Sequence, residues 1–169
     1  MNSSCTSFEA QFRAIYPRLR RFAYSLTSQS ADADDLLQRA SERALRNFAK
    51  FEQGTRFDSW MFQLTRNLWI DTVRARGRRA NREVPEEAGL GVGHDPRPAT
   101  HAAIDLQKAM NAMAQLPEEQ REIVALILVD GMGYRETAEL LDLPIGTVSS
   151  RLVRGRKALL EMLGEGNDD

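Results

Sequence analysis

Apolar side chains recur every three or four positions along most of this 169-residue chain. That is the spacing of one buried helical face. Phe8, Phe12, Ile15, Leu19, Phe22, Ala23 and Leu26 make the first such stripe and predict a helix over Phe8–Leu26. A second predicted helix starts at Asp32 or Asp34 and runs to about Phe48, with Leu36, Leu37, Ala40, Ala44 and Leu45 inward. Lys50–Thr55, carrying Gly54, reads as a loop. A third helix opens at Phe57 or Asp58 and continues to about Arg76, with Trp60, Met61, Leu64 and Leu68 on one side. The pattern then stops. Residues 77–101 hold Gly77, Gly89, Gly91, Gly93, Pro85, Pro96 and Pro98 with few large apolar side chains, the composition of a flexible, protease-sensitive linker. Periodicity resumes at Ala102, with Ile104, Leu106, Ala109, Met110 and Met113 in one stripe. Pro117-Glu118-Glu119 begins another helix, its acids suited to the first turn. Ile123, Val124, Leu126, Ile127 and Leu128 make that helix largely buried, and Asp130-Gly131-Met132-Gly133 ends it. The pattern predicts an all-α protein of two small helical domains, 8–76 and 102–163, joined by a flexible linker at 77–101.

The segment Tyr134–Leu159 adds chemistry to this outline. It reads as a helix with Ala138 and Leu141 on its apolar face, a turn at Leu143-Pro144, and a second helix with Pro144 as its first residue. The second helix separates Val148, Leu152 and Leu159 from Thr147, Ser150, Arg151 and Arg154 on its polar side. Between Ile145 and Lys157 lie four basic residues and no acidic one. A short helix braced by another and basic on its outer face fits the major groove of B-DNA. Arg151 and Arg154, three residues apart, are about 300° apart around a helix and so share one side. They suit guanine edges or phosphates, as Ser149 and Ser150 suit either, while Thr147 sits at a helix N-terminus where phosphate binds.

Composition narrows the class. Formal net charge is −1, but charge is segregated. Six arginines and one acid fall between Arg66 and Arg82, and the last nine residues hold four acids and no base. Such segregation supplies basic patches for phosphate without uniform DNA affinity. No apolar run approaches the roughly 20 residues of a membrane span. MNSSCTSFEAQF lacks a basic segment followed by an apolar one, so no secretory signal is expected. A cytoplasmic protein without membrane insertion follows. Cys5 is the single cysteine, and His94 and His101 are the only histidines; together they suggest neither a disulfide nor a structural zinc, and no cofactor is implied. There is no phosphate-cradling glycine loop, nucleophile elbow or histidine-centred cluster, so no enzyme is expected.

With these segments in order, the chain resembles the extracytoplasmic-function sigma factors, the smallest members of the sigma-70 family of bacterial transcription initiation factors. The likeness covers about residues 8–163. LPEEQREIVALILVDGMGYRETAELLDLPIGTVSSRLVRGRKAL is similar to region 4, which binds the minus-35 promoter element. ADADDLLQRASERAL is similar to the region 2.2 helix that docks on RNA polymerase. FDSWMFQLTRNLWIDTVRARGRR is similar to regions 2.3 and 2.4, which handle the minus-10 element. Four positions depart from the family pattern. Arg39 stands where an acid is usual and Ser41 where a large apolar residue is usual. Asp142 replaces a common glycine and Thr137 a common isoleucine.

The resemblance implies an all-α fold built from a region 2 bundle and a region 4 helix-turn-helix. It implies two obligate partners, bacterial core RNA polymerase and promoter DNA, and a third, an anti-sigma factor that holds the chain inactive. Asp34, Asp35, Leu36, Gln38, Arg39 and Glu42 would face the polymerase clamp, with Asp35 and Gln38 foremost. Lys50, Phe51, Thr55, Arg56, Arg66, Asn67, Arg74, Arg78 and Arg79 would meet the minus-10 strand, the Lys50–Phe57 loop capturing a flipped base. Aromatic side chains beside arginines can stack on and hydrogen-bond an unpaired base, although most of Phe48, Phe51, Phe57, Trp60, Phe62 and Trp69 are expected in the core. Thr147, Ser149, Ser150, Arg151, Arg154, Arg156 and Lys157 would meet the minus-35 duplex. Two other readings remain open: a sigma-like decoy that sequesters an anti-sigma factor, and a simple helix-turn-helix regulator. The second leaves residues 8–76 without a role.

Overall fold

The computed structural model describes residues 3–52, 54–80 and 100–164. Among these, helices account for nearly all regular structure, and no strand is present. Helix α1 spans Ser3–Thr27 and carries Pro17 in its interior. A proline there has no N–H to give to the turn before it; its ring sits on the exposed side. Leu19, Phe22, Ala23 and Leu26 are fully buried along the expected stripe. The chain reverses at Ser28, whose φ of 60° is left-handed and whose N–H donates to the Tyr24 carbonyl at 2.7 Å. Helix α2 follows at Ser30–Asn47, starting earlier than the expected Asp32 or Asp34. A 3-10 turn at Phe48–Lys50 leads through Gly54 (φ 92°) into α3, Phe57–Ala80. That helix runs four residues past the expected end at Arg76 and takes in Arg78 and Arg79.

An aromatic knot fixes these three helices. Phe8, Phe48, Phe51, Phe57 and Trp60 meet with ring centroids 5.0–6.2 Å apart in edge-on, tilted and stacked pairs, favoured geometries for aromatic quadrupoles. The expectation that most aromatics here are core holds for Phe48, Phe57, Phe62 and Trp69. Leu45 is a correction: it is half exposed. It follows buried Ala44 by one residue, a rotation of about 100° that carries it off the inward face.

Helix α4, His101–Gln115, starts under the hydroxyl of Thr100, which accepts from the Ala103 N–H. Only its second half is covered, by burial of Met110, Ala112 and Met113; Ile104 and Leu106 point to solvent, against expectation. Helix α5, Glu118–Val124, is continued by a π-helical turn, Ala125–Val129. One extra residue in that turn rotates everything after it by about 100°. Leu128, expected inside, is half exposed, about 200° round from fully buried Leu126, while Asp130, one turn past Leu126, faces inward.

Helix α6, Tyr134–Leu141, ends at Asp142 with φ 53° and ψ 50°. The Leu143 N–H returns to Ala138 O and the Asp142 N–H to Glu139 O, a Schellman closure whose left-handed position glycine usually fills. Aspartate is among the few other residues that tolerate it. Helix α7 spans Ile145–Leu163, with Pro144 as its N-cap rather than its first residue. Gly155 lies within α7 against α5: a Cβ there would fall 2.8 Å from Val124 Cγ2.

The two helical groups rest against each other. Phe22 and Phe62 belong to the same contiguous apolar cluster as Leu116, Ile123, Leu126 and Met132. Residues 81–99, which make up most of the expected linker 77–101, lie outside the described residues. No described helix is long and apolar enough to cross a membrane.

Candidate nucleic-acid interface

The helix-turn-helix is built by α6 and α7. Val148, Leu152 and Gly155 of α7 are buried, so the rest of its surface is presented outward. Ser149, Ser150, Arg154, Arg156 and Lys157 are exposed together. Thr147 is half-buried in the first turn, its N–H bonded to the Pro144 carbonyl at 2.9 Å. The Arg154 Nε donates back to the Ser150 carbonyl at 3.3 Å. Arg151 is held differently. Its guanidinium reaches Glu119 Oε2 of α5 at 2.6 Å and is three-quarters covered. Arg151 and Arg154 do lie along one side of α7, but among the described residues only Arg151 of the two meets a carboxylate.

Residues assigned to the minus-10 strand spread over two surfaces. Lys50, Thr55, Asn67, Arg74, Arg78 and Arg79 are exposed. Phe51 is half-buried, stacked on Phe48 at 5.8 Å and tilted against Trp60 at 5.0 Å; its ring serves the aromatic knot. Arg56 bonds Asp58 at 2.7 Å and Glu136 at 2.5 Å. Arg66 donates to Glu122 at 3.0 Å. Two of the nine residues thus meet carboxylates of the other helical group.

The α2 surface assigned to polymerase is continuous. Asp34, Asp35, Gln38, Arg39 and Glu42 are all exposed. Arg20 reaches Asp34 at 3.2 Å, Gln38 donates to Glu42 at 3.2 Å, and Arg39 lies 3.7 Å from Asp35 while bonding Thr72. Leu36 is a correction. It is 2% exposed, one position round from Asp35 on the buried side of α2, and supports the face from inside.

Several residues that order this arrangement escaped the sequence reading. Arg18 donates to both Asp130 oxygens, at 3.1 and 2.8 Å, and lies 3.5 Å from Asp58. The Asp130 hydrogen bond raises the Arg18 pKa. Arg121 forks to the carbonyls of Leu26, Ala114 and Leu116 at 3.1, 2.6 and 2.9 Å. It thereby satisfies the C-terminal ends of α1 and α4. Burial lowers the Arg121 pKa. Burial also pushes the Glu122 carboxyl up, with Arg66 pulling the other way. For Asp58 burial is again the largest influence and raises its pKa. The Arg56 hydrogen bond, the Ser59 N–H and the nearby Arg56 and Arg18 charges together outweigh it, and the net direction is down. A signal was present in the charge distribution. Residues 1–80 hold fourteen basic and eight acidic side chains, and residues 102–169 hold seven and twelve.

A helix-turn-helix with a bare basic face, packed beside an arginine-bearing helical bundle, defines a DNA-binding protein of two helical parts. The family model described as Sigma-70 region 2 matches residues 11–79, and that of Sigma-70, region 4 matches residues 106–159. The chain is 34% identical over 164 residues to the ECF RNA polymerase sigma factor SigE of Mycolicibacterium smegmatis, covering 94% of this chain and 62% of SigE. It is 33% identical over 151 residues to the ECF RNA polymerase sigma factor EcfG of Rhodopseudomonas palustris, covering 89% and 81%. The sigma factor RpoE of Bartonella quintana, solved in complex with the anti-sigma factor NepR, superposes with a TM-score of 0.78 at 32% identity, covering 94% of this chain and 97% of RpoE. The chain belongs to the sigma-70 family, in its extracytoplasmic-function group.

Proposed function

We propose that this chain is a transcription initiation factor: it binds core RNA polymerase, carries it to particular promoters and helps open the DNA there. The observation that supports this best is the presence, in one chain and in family order, of region 2 with an exposed charged α2 face and region 4 with an exposed basic α7 face. The chain spans 62% of SigE and 81% of EcfG. Region 2 occupies about residues 8–76 and region 4 about residues 102–163.

In this reading Asp34, Asp35, Gln38, Arg39 and Glu42 meet the polymerase. Ser149, Ser150, Arg154, Arg156 and Lys157 meet the minus-35 duplex, with Thr147 at its phosphate edge and Arg151 joining once it leaves Glu119. Lys50, Thr55, Arg56, Arg66, Asn67, Arg74, Arg78 and Arg79 meet the minus-10 strand. Such a factor is not an enzyme and works beside its polymerase in the cytoplasm. The likeness to RpoE, solved with an anti-sigma factor, supports control by a protein of that kind.

Run-off transcription with core polymerase tests the assignment. A promoter-specific transcript that depends on this chain is expected, and Asp35→Ala with Gln38→Ala should weaken it by lowering polymerase binding. A decoy or a simple regulator would give no specific transcript. A double variant that binds polymerase normally would move the docking face elsewhere.

A further inference from the structure

Among the described residues three ion pairs join the two helical groups, and all three run the same way. Arginine comes from the N-terminal group, as Arg18, Arg56 and Arg66, and carboxylate from the C-terminal group, as Asp130, Glu136 and Glu122. The donors sit on α1, just before α3 and on α3; the acceptors sit on α5, after its π-helical turn, and on α6. Two of the three arginines, Arg56 and Arg66, are ones assigned to the minus-10 strand. A carboxylate can take the place of a phosphate on such a group, because both present paired anionic oxygens to a guanidinium fork.

We infer that the closed arrangement is a self-inhibited state, in which region 4 carboxylates Glu136 and Glu122 stand in for DNA phosphate on Arg56 and Arg66 while Asp130 locks the docking through Arg18. The inference rests on the promoter reading above for the role of Arg56 and Arg66. Two ingredients have separate parts. The apolar cluster shared by the groups supplies attraction but little orientation. The ion pairs supply register, since a buried charge is tolerated only where its partner is in place. Asp130 is the key acceptor. Its side chain is 1% exposed, it bonds Arg18 through both oxygens, and it lies one turn past fully buried Leu126. Opposite net charge on the two groups reinforces this docking polarity. A closed form and a DNA-bound form then compete for the same guanidinium groups. Were nine molecules in ten closed, the apparent affinity of region 2 for the minus-10 strand would fall about tenfold.

The test uses the full chain with Asp130→Arg and Glu136→Arg, neither of which is in the polymerase or DNA surface. Small-angle scattering reads closure without reference to any promoter. The closed wild type should show a radius of gyration of about 15–16 Å, the value for a compact chain of this length. The variant should expand while keeping its helical circular dichroism, because arginine beside Arg18 and Arg56 juxtaposes like charges. It should also bind a single-stranded minus-10 fragment roughly tenfold more tightly than wild type at equal salt. If the reversal unfolds the chain, Asp130→Asn with Glu136→Gln removes charge at constant shape and should give a smaller expansion in the same direction. A chain that stays compact in the isosteric variant overturns the role of these pairs. Expansion without tighter DNA binding overturns self-inhibition. A wild type that transcribes from no promoter overturns instead the function on which the inference rests.

Discussion

Gly155 sets how closely α7 approaches α5, and replacing it with alanine separates two opposing effects. Inside a helix, alanine is favoured over glycine by about 1 kcal/mol. The added Cβ would lie 2.8 Å from Val124 Cγ2 and 3.4 Å from Gln120 Cβ, the first inside any ordinary contact. Val124 is 1% exposed and has little space to turn aside, so overpacking should cost about 1–3 kcal/mol. The second effect exceeds the first. Gly155→Ala should leave the protein less stable by up to about 2 kcal/mol, and Gly155→Leu by more. Val124→Ala alone removes two methyl groups and leaves a void, a loss of about 2–3 kcal/mol. In the double variant the new methyl fills the space that Val124 gives up, so the losses should fall short of additive by about 1–3 kcal/mol. Urea unfolding followed by helical circular dichroism, with all four chains at one pH, measures the cycle. A Gly155→Ala chain that gains about 1 kcal/mol, with losses that simply add, would mean that α7 does not sit this close to α5. It would also undo the account of how the basic face is held outward.

Arg121→Met keeps the aliphatic stem and strips three carbonyls of their donor; unfolding should become easier by about 2–4 kcal/mol, and Arg121→Lys should recover only part of that loss for want of a fork. Thr137 is fully buried with its hydroxyl unpartnered; Thr137→Val removes the polar atom at constant shape and should stabilise the chain by about 1 kcal/mol in the same urea assay. Glu122 gives a pH signature. Its folded pKa is raised, chiefly by burial, so the folded protein binds more protons than the unfolded one above the ordinary glutamate value of about 4.3. Its contribution is complete below that pH and is lost as pH rises through the raised value. Glu122→Gln should therefore flatten a decline in stability as pH rises above the ordinary glutamate value, and an unchanged slope would show that Glu122 is not its source.

The helix-turn-helix was legible because its determinants are local. Apolar spacing places Val148 and Leu152, and Pro144 fixes where α7 begins. The polar side follows from the same 3.6-residue period. Even the departure at Asp142 has a local meaning, since glycine is common there for the left-handed backbone that Asp142 adopts. What periodicity missed came from treating an apolar run as one face. Leu128 lies about 200° round from fully buried Leu126 and points out, whereas polar Asp130, one turn past Leu126, points in. Ile104 and Leu106 satisfy the helical pattern, but nothing among the described residues covers the first turns of α4. The ion pairs were out of reach for another reason. Arg18 and Asp130 are 112 residues apart, and no local rule pairs them. Only the unequal charge of the two halves pointed toward such contacts, and that asymmetry names no partners. Leu36 shows the converse error, in which a family motif was carried over whole although one of its residues faces the core.

The contacts divide the two DNA surfaces by how each becomes available. Arg151 is tied to Glu119 within region 4 itself, and Glu119 is half exposed. A pair of that kind is worth about 0–1 kcal/mol, so a phosphate can displace it without moving either helical group. Ser149, Ser150, Arg154, Arg156 and Lys157 need no displacement at all. The minus-35 surface is therefore nearly ready in the closed chain. Arg66 is different, because Glu122 is nearly buried and the pair can part only if α3 and α5 separate. Leaving Glu122 buried without a partner would cost several kcal/mol, which makes separation and release of Arg66 one event rather than two. Duplex contact through α7 can thus precede opening, whereas contact through Arg66 cannot. Polymerase binding on the exposed α2 face is compatible with either state by itself. If the closed chain competes with DNA as inferred, the docked factor becomes competent for the minus-10 strand only when its two helical groups are held apart.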